Sequence, residues 1–170
     1  MTRRWCMERS NVRLVSTTED PIDDLRYHKQ LQQEQFPVRV ITAFRPDKAM
    51  FLTLPTFDTY LNGLSAAAGV EITNFRDMLA ALELRLQFFR QTTGTTVSDN
   101  GIPHFTWADY TQEEIEEIFR KARSNAPLTE REVDQYQSAF LFEMACLYKR
   151  NGYVMQLHIG TYLDANTKGV

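Results

Sequence analysis

Cysteine is nearly absent from this chain: Cys6 and Cys146 are the only two among 170 residues. They form no Cys-x-x-Cys pair, which excludes a disulfide-built scaffold and a cysteine-ligated zinc site, and they read as reduced thiols in a cytoplasmic protein. Cys146 falls on the apolar side of a predicted helix, as a packing residue. Histidine is as scarce, with three residues and neither a His-x-His nor a His-Glu-x-x-His, so no complete local metal motif is present. Gly-x-Gly-x-x-Gly, a P-loop and a Gly-x-Ser-x-Gly elbow are also missing, which argues against nucleotide binding and against a hydrolase of the nucleophile-elbow type. No apolar run approaches the ~20 residues needed to span a bilayer. The start, Met1-Thr-Arg-Arg-Trp-Cys6, has none of the apolar character of a signal peptide. A net charge of −3 gives no basic face for nucleic acid.

What the chain does have is a globular composition, with 43% apolar and 24% charged residues, and a pattern that recurs four times. A short apolar run ends abruptly in polar residues. Asn11-Val-Arg-Leu-Val-Ser16 runs into Thr17-Thr-Glu-Asp-Pro21, and Val38-Arg-Val-Ile-Thr-Ala43 into Phe44-Arg-Pro-Asp-Lys48. Thr95-Thr-Val97 runs into Ser98-Asp-Asn-Gly101, and Tyr153-Val-Met-Gln-Leu157 into His158-Ile-Gly160. Helical segments fill the intervals. Strands alternating with helices predict a parallel α/β sheet, whose strand C-termini hold the chemistry.

Residues 3–10 read as the closing turns of a helix. Asp20-Pro21 predicts a helix start, with Asp20 as cap and Pro21 in the first turn, running to about Gln33. A second strand begins at Pro37 or Val38. Pro55-Thr56 introduces a helix to Ala68, stopped by Gly69. Phe75, Met78, Leu79, Leu82, Leu86 and Phe89 fall on one stripe of a helix over 74–92, with Gly94 as its stop. Thr111-Gln-Glu-Glu114 and Thr129-Glu-Arg-Glu132 read as capping boxes, and the helix from the second reaches Arg150 before Asn151-Gly152 turns the chain. No linker or composition shift divides the chain, so residues 1–170 form one domain.

Three residues at the strand ends are candidates for chemistry. Arg45 follows its strand directly and is held extended by Pro46. It is either a bidentate carboxylate clamp or an ion-pair partner of Asp47 or a nearby helix. Asp99 is a site acid or a turn residue, since Ser-Asp-Asn-Gly is good turn chemistry. His158 ends an apolar run beside Gly160. It reads as a metal ligand, a general base, an electrophile or a hydrogen-bonded core histidine. His28 and His104 read as packing or surface residues, and Glu113–Glu117 as a solvated helix face.

Taken together, Thr17-Thr-Glu-Asp-Pro-Ile-Asp-Asp24, Arg45-Pro-Asp-Lys48, Ser98-Asp99 and Gly152-Tyr-Val-Met-Gln-Leu-His-Ile-Gly160 resemble the uronate isomerase family, within the amidohydrolase superfamily of (β/α)₈ barrels. The resemblance runs the length of the chain and implies an internal segment of a longer member: a partial TIM barrel of about four consecutive strand–helix units with helical insertions. It further implies aldose–ketose isomerisation of D-glucuronate to D-fructuronate and D-galacturonate to D-tagaturonate, through an enediolate beside a divalent metal, usually zinc. By the same resemblance Arg45 is a substrate-binding residue, and Asp99 and His158 are catalytic residues, His158 lying near the metal. The family's main ligands, a His-x-His and an Asp, belong to first and last barrel strands with no counterpart here. The chain departs from the family pattern at Glu19 and at Asn100, where a histidine is usual. It also departs after Gly160, where Leu163 replaces an expected arginine. The implied partners are a uronic acid sugar, and either further copies of the chain or the missing barrel halves. The competing readings are a non-catalytic remnant of the same fold and a different amidohydrolase-like hydrolase.

Overall fold

The structure, a computed structural model, describes residues 2–160. The departure after Gly160, Leu163 included, lies outside the described residues. Helix α1 (Arg3–Arg9) leads into strand β1 (Leu14–Glu19), then α2 (Arg26–Gln33) and β2 (Arg39–Phe44). A single-turn α3 (Asp47–Met50) precedes α4 (Phe57–Ala68) and α5 (Phe75–Thr93). Strand β3 (Asn100–Ile102), α6 (Gln112–Arg123), α7 (Glu130–Asn151) and β4 (Leu157–Ile159) complete the order.

The strands are parallel and lie in chain order. β1 pairs with β2 from Leu14↔Arg39 to Glu19↔Phe44, and β3 with β4 from Asn100↔Leu157 to Ile102↔Ile159. The bridge Phe44↔Ser98 joins the two pairs, and Val97↔Val154 extends the second pair backwards. Every strand therefore ends on the same side, and the polar residues that follow the apolar runs collect there.

Several expectations are corrected in detail. The helix read from Pro21 begins at Arg26, because Asp20, Asp23 and Asp24 accept instead from the amides of Ile22, Leu25 and Arg26 in three successive side-chain turns. Leu25, at φ 54°, takes the left-handed turn that admits the helix. Regular pairing starts later than the apolar runs do: Thr95 and Ser98 are buried, yet the ladder to β4 is established at Asn100. Cys146 is only half-buried and Cys6 is exposed.

The helix boundaries follow local chemistry. Gly69, Gly94 and Gly152 close α4, α5 and α7 in the left-handed region. Thr111 and Thr129 both form reciprocal capping boxes, with Glu114 and Glu132. A continuous apolar core lies between the sheet and the helices. Phe44, at the end of β2, is fully buried, with edge-on contacts to Phe89 of α5 at 5.2 Å and Tyr148 of α7 at 6.5 Å. It fastens the strand end to two helices; burying a phenylalanine of this kind contributes roughly 1.5–3 kcal/mol. The residue immediately after it is Arg45, so the packing of Phe44 sets where that guanidinium starts.

Candidate functional site

Arg45, Asp99 and His158 come together at the C-terminal side of the sheet. Asp99 is the anchor. It follows the Phe44↔Ser98 bridge, its backbone amide donates to the Phe44 carbonyl at 3.0 Å, and only 6% of the residue is exposed. The Arg45 and His158 side chains are 40% and 43% exposed, so both lean from the surface onto a buried acid.

The Arg45 guanidinium presents one edge to Asp99. Nη2 donates to Asp99 Oδ2 in a close ion pair, and Nε donates to the Asp99 backbone carbonyl at 3.3 Å. Thr18, near the end of β1, donates its hydroxyl to the same Oδ2 at 3.1 Å. Nη1 makes no hydrogen bond among the described residues, which leaves the Nη1/Nη2 edge open. Asp47 also lies close, with Oδ2 3.7 Å from Arg45 Nε. Arg45 thus has Asp47 as an ion-pair neighbour, one of the two sequence-based alternatives.

His158 Nδ1 stands 3.0 Å from Asp99 Oδ1. The ring N–H does not point along that line, so Oδ1 is buried with no hydrogen-bond donor among the described residues. The other ring nitrogen lies 2.6 Å from Gln156 Nε2. The pair is thus a close polar contact rather than a formed hydrogen bond.

Asp47 and Asn100 hold this group from behind. Both Asp47 oxygens accept from the Gly101 amide, at 3.0 and 3.1 Å. Burial pushes the Asp47 carboxyl up to about 6, against the opposing pull of that amide and of Arg45, while Asp99 and Asp20 push it further up. Asn100 donates to Ser98 Oγ and the Gln156 carbonyl, each at 2.8 Å, and accepts from buried Tyr148 Oη at 3.0 Å. Beside them Lys48 Nζ pairs with Asp20 Oδ2 at 3.3 Å and lies over the Tyr60 ring. Sequence reasoning passed over Thr18, Gln156 and Asn100 as site residues and gave Asp47 only as a partner of Arg45. The one available signal was position: Thr18, Asp47 and Asn100 follow apolar runs, and Gln156 interrupts one.

The remaining histidines lie elsewhere. His28 is buried on α2, with Nε2 2.9 Å from Thr17 Oγ1, and His104 is exposed in the loop after β3. That loop and α7 enclose a cavity of about 530 Å³ lined by Phe51, Pro103, His104, Glu130 and Asp134, which none of the three converging residues reaches. No group of three or more metal-ligating side chains occurs among the described residues. One imidazole and one orphaned carboxylate oxygen do not make up a divalent-metal site, so the ligand set present does not fit that ion by itself.

The family model described as glucuronate isomerase matches residues 1–170. The uronate isomerase of Bacillus pumilus is 41% identical over 160 residues, which cover 94% of this chain and 33% of that protein. That of Bacteroides thetaiotaomicron is 42% identical over 166 residues, covering 97% and 35%. The chain thus spans about a third of the length of the curated relatives it matches. The crystal structure of glucuronate isomerase from Caulobacter crescentus superposes with a TM-score of 0.85 at 28% identity, over 96% of this chain and 34% of that one. The uronate isomerase of Thermotoga maritima gives a TM-score of 0.88 at 23% identity over 94% and 35%, a likeness of fold. With a family model matched from end to end and a parallel sheet that gathers Arg45, Asp99 and His158 at its strand ends, the chain belongs to the glucuronate isomerase family.

Proposed function

We propose that residues 1–170 are one partial (β/α)₈ barrel domain of about four strand–helix units. On this reading its strand-end cluster serves the isomerisation of uronic acid sugars, D-glucuronate to D-fructuronate and D-galacturonate to D-tagaturonate. Parallel strands in chain order, joined through helices, support the barrel reading. The open Nη1/Nη2 edge of Arg45 carries the substrate reading. Asp99 occupies the opposite edge through two acceptors, so the guanidinium is fixed in plane and a sugar carboxylate can dock bidentately.

In such a reaction the proton on C2 of the open-chain aldose leaves and one arrives at C1. The C1 carbonyl becomes a hydroxyl and the C2 hydroxyl becomes the ketone. Arg45 holds the distant carboxylate, Asp99 fixes Arg45 and steadies His158, and the imidazole faces negative charge developing on the carbonyl oxygen. A divalent metal, zinc by the family reading, belongs to the whole enzyme. The described residues offer no complete set of ligands for it, and none of these assignments depends on it.

The same lack of grouped ligands favours a second reading for the isolated chain: uronate binding without turnover. Titration calorimetry with D-glucuronate, and with D-glucose as the analogue lacking the carboxylate, tests the proposal. Arg45→Lys is expected to weaken D-glucuronate binding at least about tenfold, since a charge-assisted bond is worth ~1.5–3 kcal/mol. Equal binding of D-glucose, or no effect of the substitution, overturns it. An assay of the chain with added zinc separates the two readings, with no isomerisation expected.

A further inference from the structure

We infer that Asp47 is a positioning residue for Arg45: seated on the Gly101 amide, its carboxylate turns the guanidinium so that the Nη1/Nη2 edge faces the ligand. This rests on the reading that Arg45 takes a uronate carboxylate, and adds what holds the clamp in place.

Three observations carry it. First, the seat is specific. Both oxygens of Asp47 accept from one amide, and a Cβ built on Gly101 would lie 2.9 Å from Oδ2. Only a residue without a side chain lets the carboxylate come this close to β3. Second, Asp47 Oδ2 is 3.7 Å from Arg45 Nε, within ion-pair range and beyond hydrogen-bond range. It attracts the guanidinium without taking the Nε hydrogen, which Asp99 O receives. Third, Asp47 and Asp99 stand on different strand ends, after β2 and beside β3. A guanidinium drawn to both is held across the gap between them, the Asp47 charge adding to the in-plane hold that Asp99 supplies.

Several charged and titratable groups surround Asp47. Arg45 follows β2, Lys48 is on α3, and Asp20 follows β1. Asp99 lies beside β3 with His158 of β4 behind it, and the Tyr60 and Tyr148 phenols on α4 and α7 both feel Asp47 as a negative charge. Asp47 takes a proton near pH 6, so the hold on Arg45 should slacken as pH falls through that value.

The test follows the Arg45 Nε–H signal by NMR in the full ¹⁵N-labelled chain, assigned by its loss in Arg45→Lys. Asp47→Asn keeps an oxygen for the Gly101 amide and removes the charge. The Nε–H hydrogen is expected to exchange with solvent roughly tenfold faster at neutral pH, a change worth about 1.4 kcal/mol, with the Gly101 amide still protected. Binding of D-glucuronate should weaken, and the loss of affinity expected of the unsubstituted chain below about pH 6 should be absent in the variant. An unchanged Nε–H exchange rate in Asp47→Asn overturns the inference, as does tighter D-glucuronate binding by that variant. If Asp47→Asn fails to fold, Gly101→Ala displaces the same carboxylate with its charge intact and is read by the Nε–H exchange rate alone, an unchanged rate overturning the inference. Faster Nε–H exchange with no D-glucuronate binding by the unsubstituted chain supports the positioning role and overturns the carboxylate reading of Arg45.

Discussion

Arg85, on α5, donates through Nε to the backbone carbonyl of Pro21 across 2.7 Å, reaching from the helix layer into the loop that follows β1. Its other two nitrogens reach Asp23 O at 2.8 Å and Ala67 O at 3.0 Å, and its guanidinium stacks on Phe88 at 4.0 Å. One buried arginine thus satisfies carbonyls on the loop after β1 and in the last turn of α4, and burial draws its pKa below the ordinary arginine value. The loop it fixes carries Asp20, the partner of Lys48.

Arg85→Met should keep the packing on Phe88 but strand three carbonyls. The expected cost is on the order of 3 kcal/mol, since bonds to charged donors are the stronger class. For a chain of this size that corresponds to a fall in Tm of roughly 6–12 °C. Calorimetry checks it, and a Tm within experimental error of the unsubstituted chain would contradict the role.

Asn100 and Tyr148 should behave as a coupled pair. Asn100→Ala removes the acceptor of a buried phenol and the donor to Ser98 and Gln156, at about 2–4 kcal/mol. Tyr148→Phe should cost about 1 kcal/mol. A double-mutant cycle by urea unfolding is expected to show a coupling of about 0.5–3 kcal/mol. Strict additivity would dissolve the link between α7 and the strand ends.

Stability should depend on pH in two opposed steps. The Asp47 carboxyl is raised from 3.8 to about 6 in the folded chain, so between those values the folded state binds more protons and stability rises as pH falls. Glu132 is lowered from 4.5 to about 2, first by Lys121 and then by the Thr129 backbone amide and hydroxyl, so its contribution is present above 4.5 and lost as pH falls towards 2. Urea midpoints should therefore increase from about pH 7 to about pH 5 and decrease below about 4. Asp47→Asn should flatten the first limb alone. A midpoint that falls steadily from neutral pH in the unsubstituted chain would rule this out.

Much of the helical layer was legible because it depends on neighbours in sequence. The Thr111 and Thr129 boxes and the stops at Gly69, Gly94 and Gly152 each involve groups a few residues apart. Arg45, Asp99 and His158 were visible because each interrupts or follows an apolar run. What joins them was not visible. Thr18 reaches Asp99 across 81 positions and Asp47 reaches Gly101 across 54, and no local pattern encodes either contact. The start of α2 was misplaced for a related reason: Asp20 does cap an amide, but Asp23 and Asp24 repeat the act, and the backbone turns three times before it coils.

The outer strands point to association. β4 is exposed along its length, Val154 and Ile159 are each 64% exposed, and Leu14 is exposed at the start of β1. Each of these strands pairs on one side only among the described residues. Apolar, half-paired edges recruit other strands. Sedimentation velocity over a concentration series is expected to show association, reduced by Ile159→Lys. A compact monomer at every concentration would refute both the association and the partial-barrel reading.

The seat of Asp47 on Gly101 has a consequence for inheritance. A Cβ at position 101 would lie 2.9 Å from Asp47 Oδ2, so the carboxylate would have to leave its seat. Neither position can drift alone without passing through a less fit intermediate. Among diverging copies of this gene the two should be replaced together or retained together, although they lie in different strand–helix units and share no neighbour in sequence.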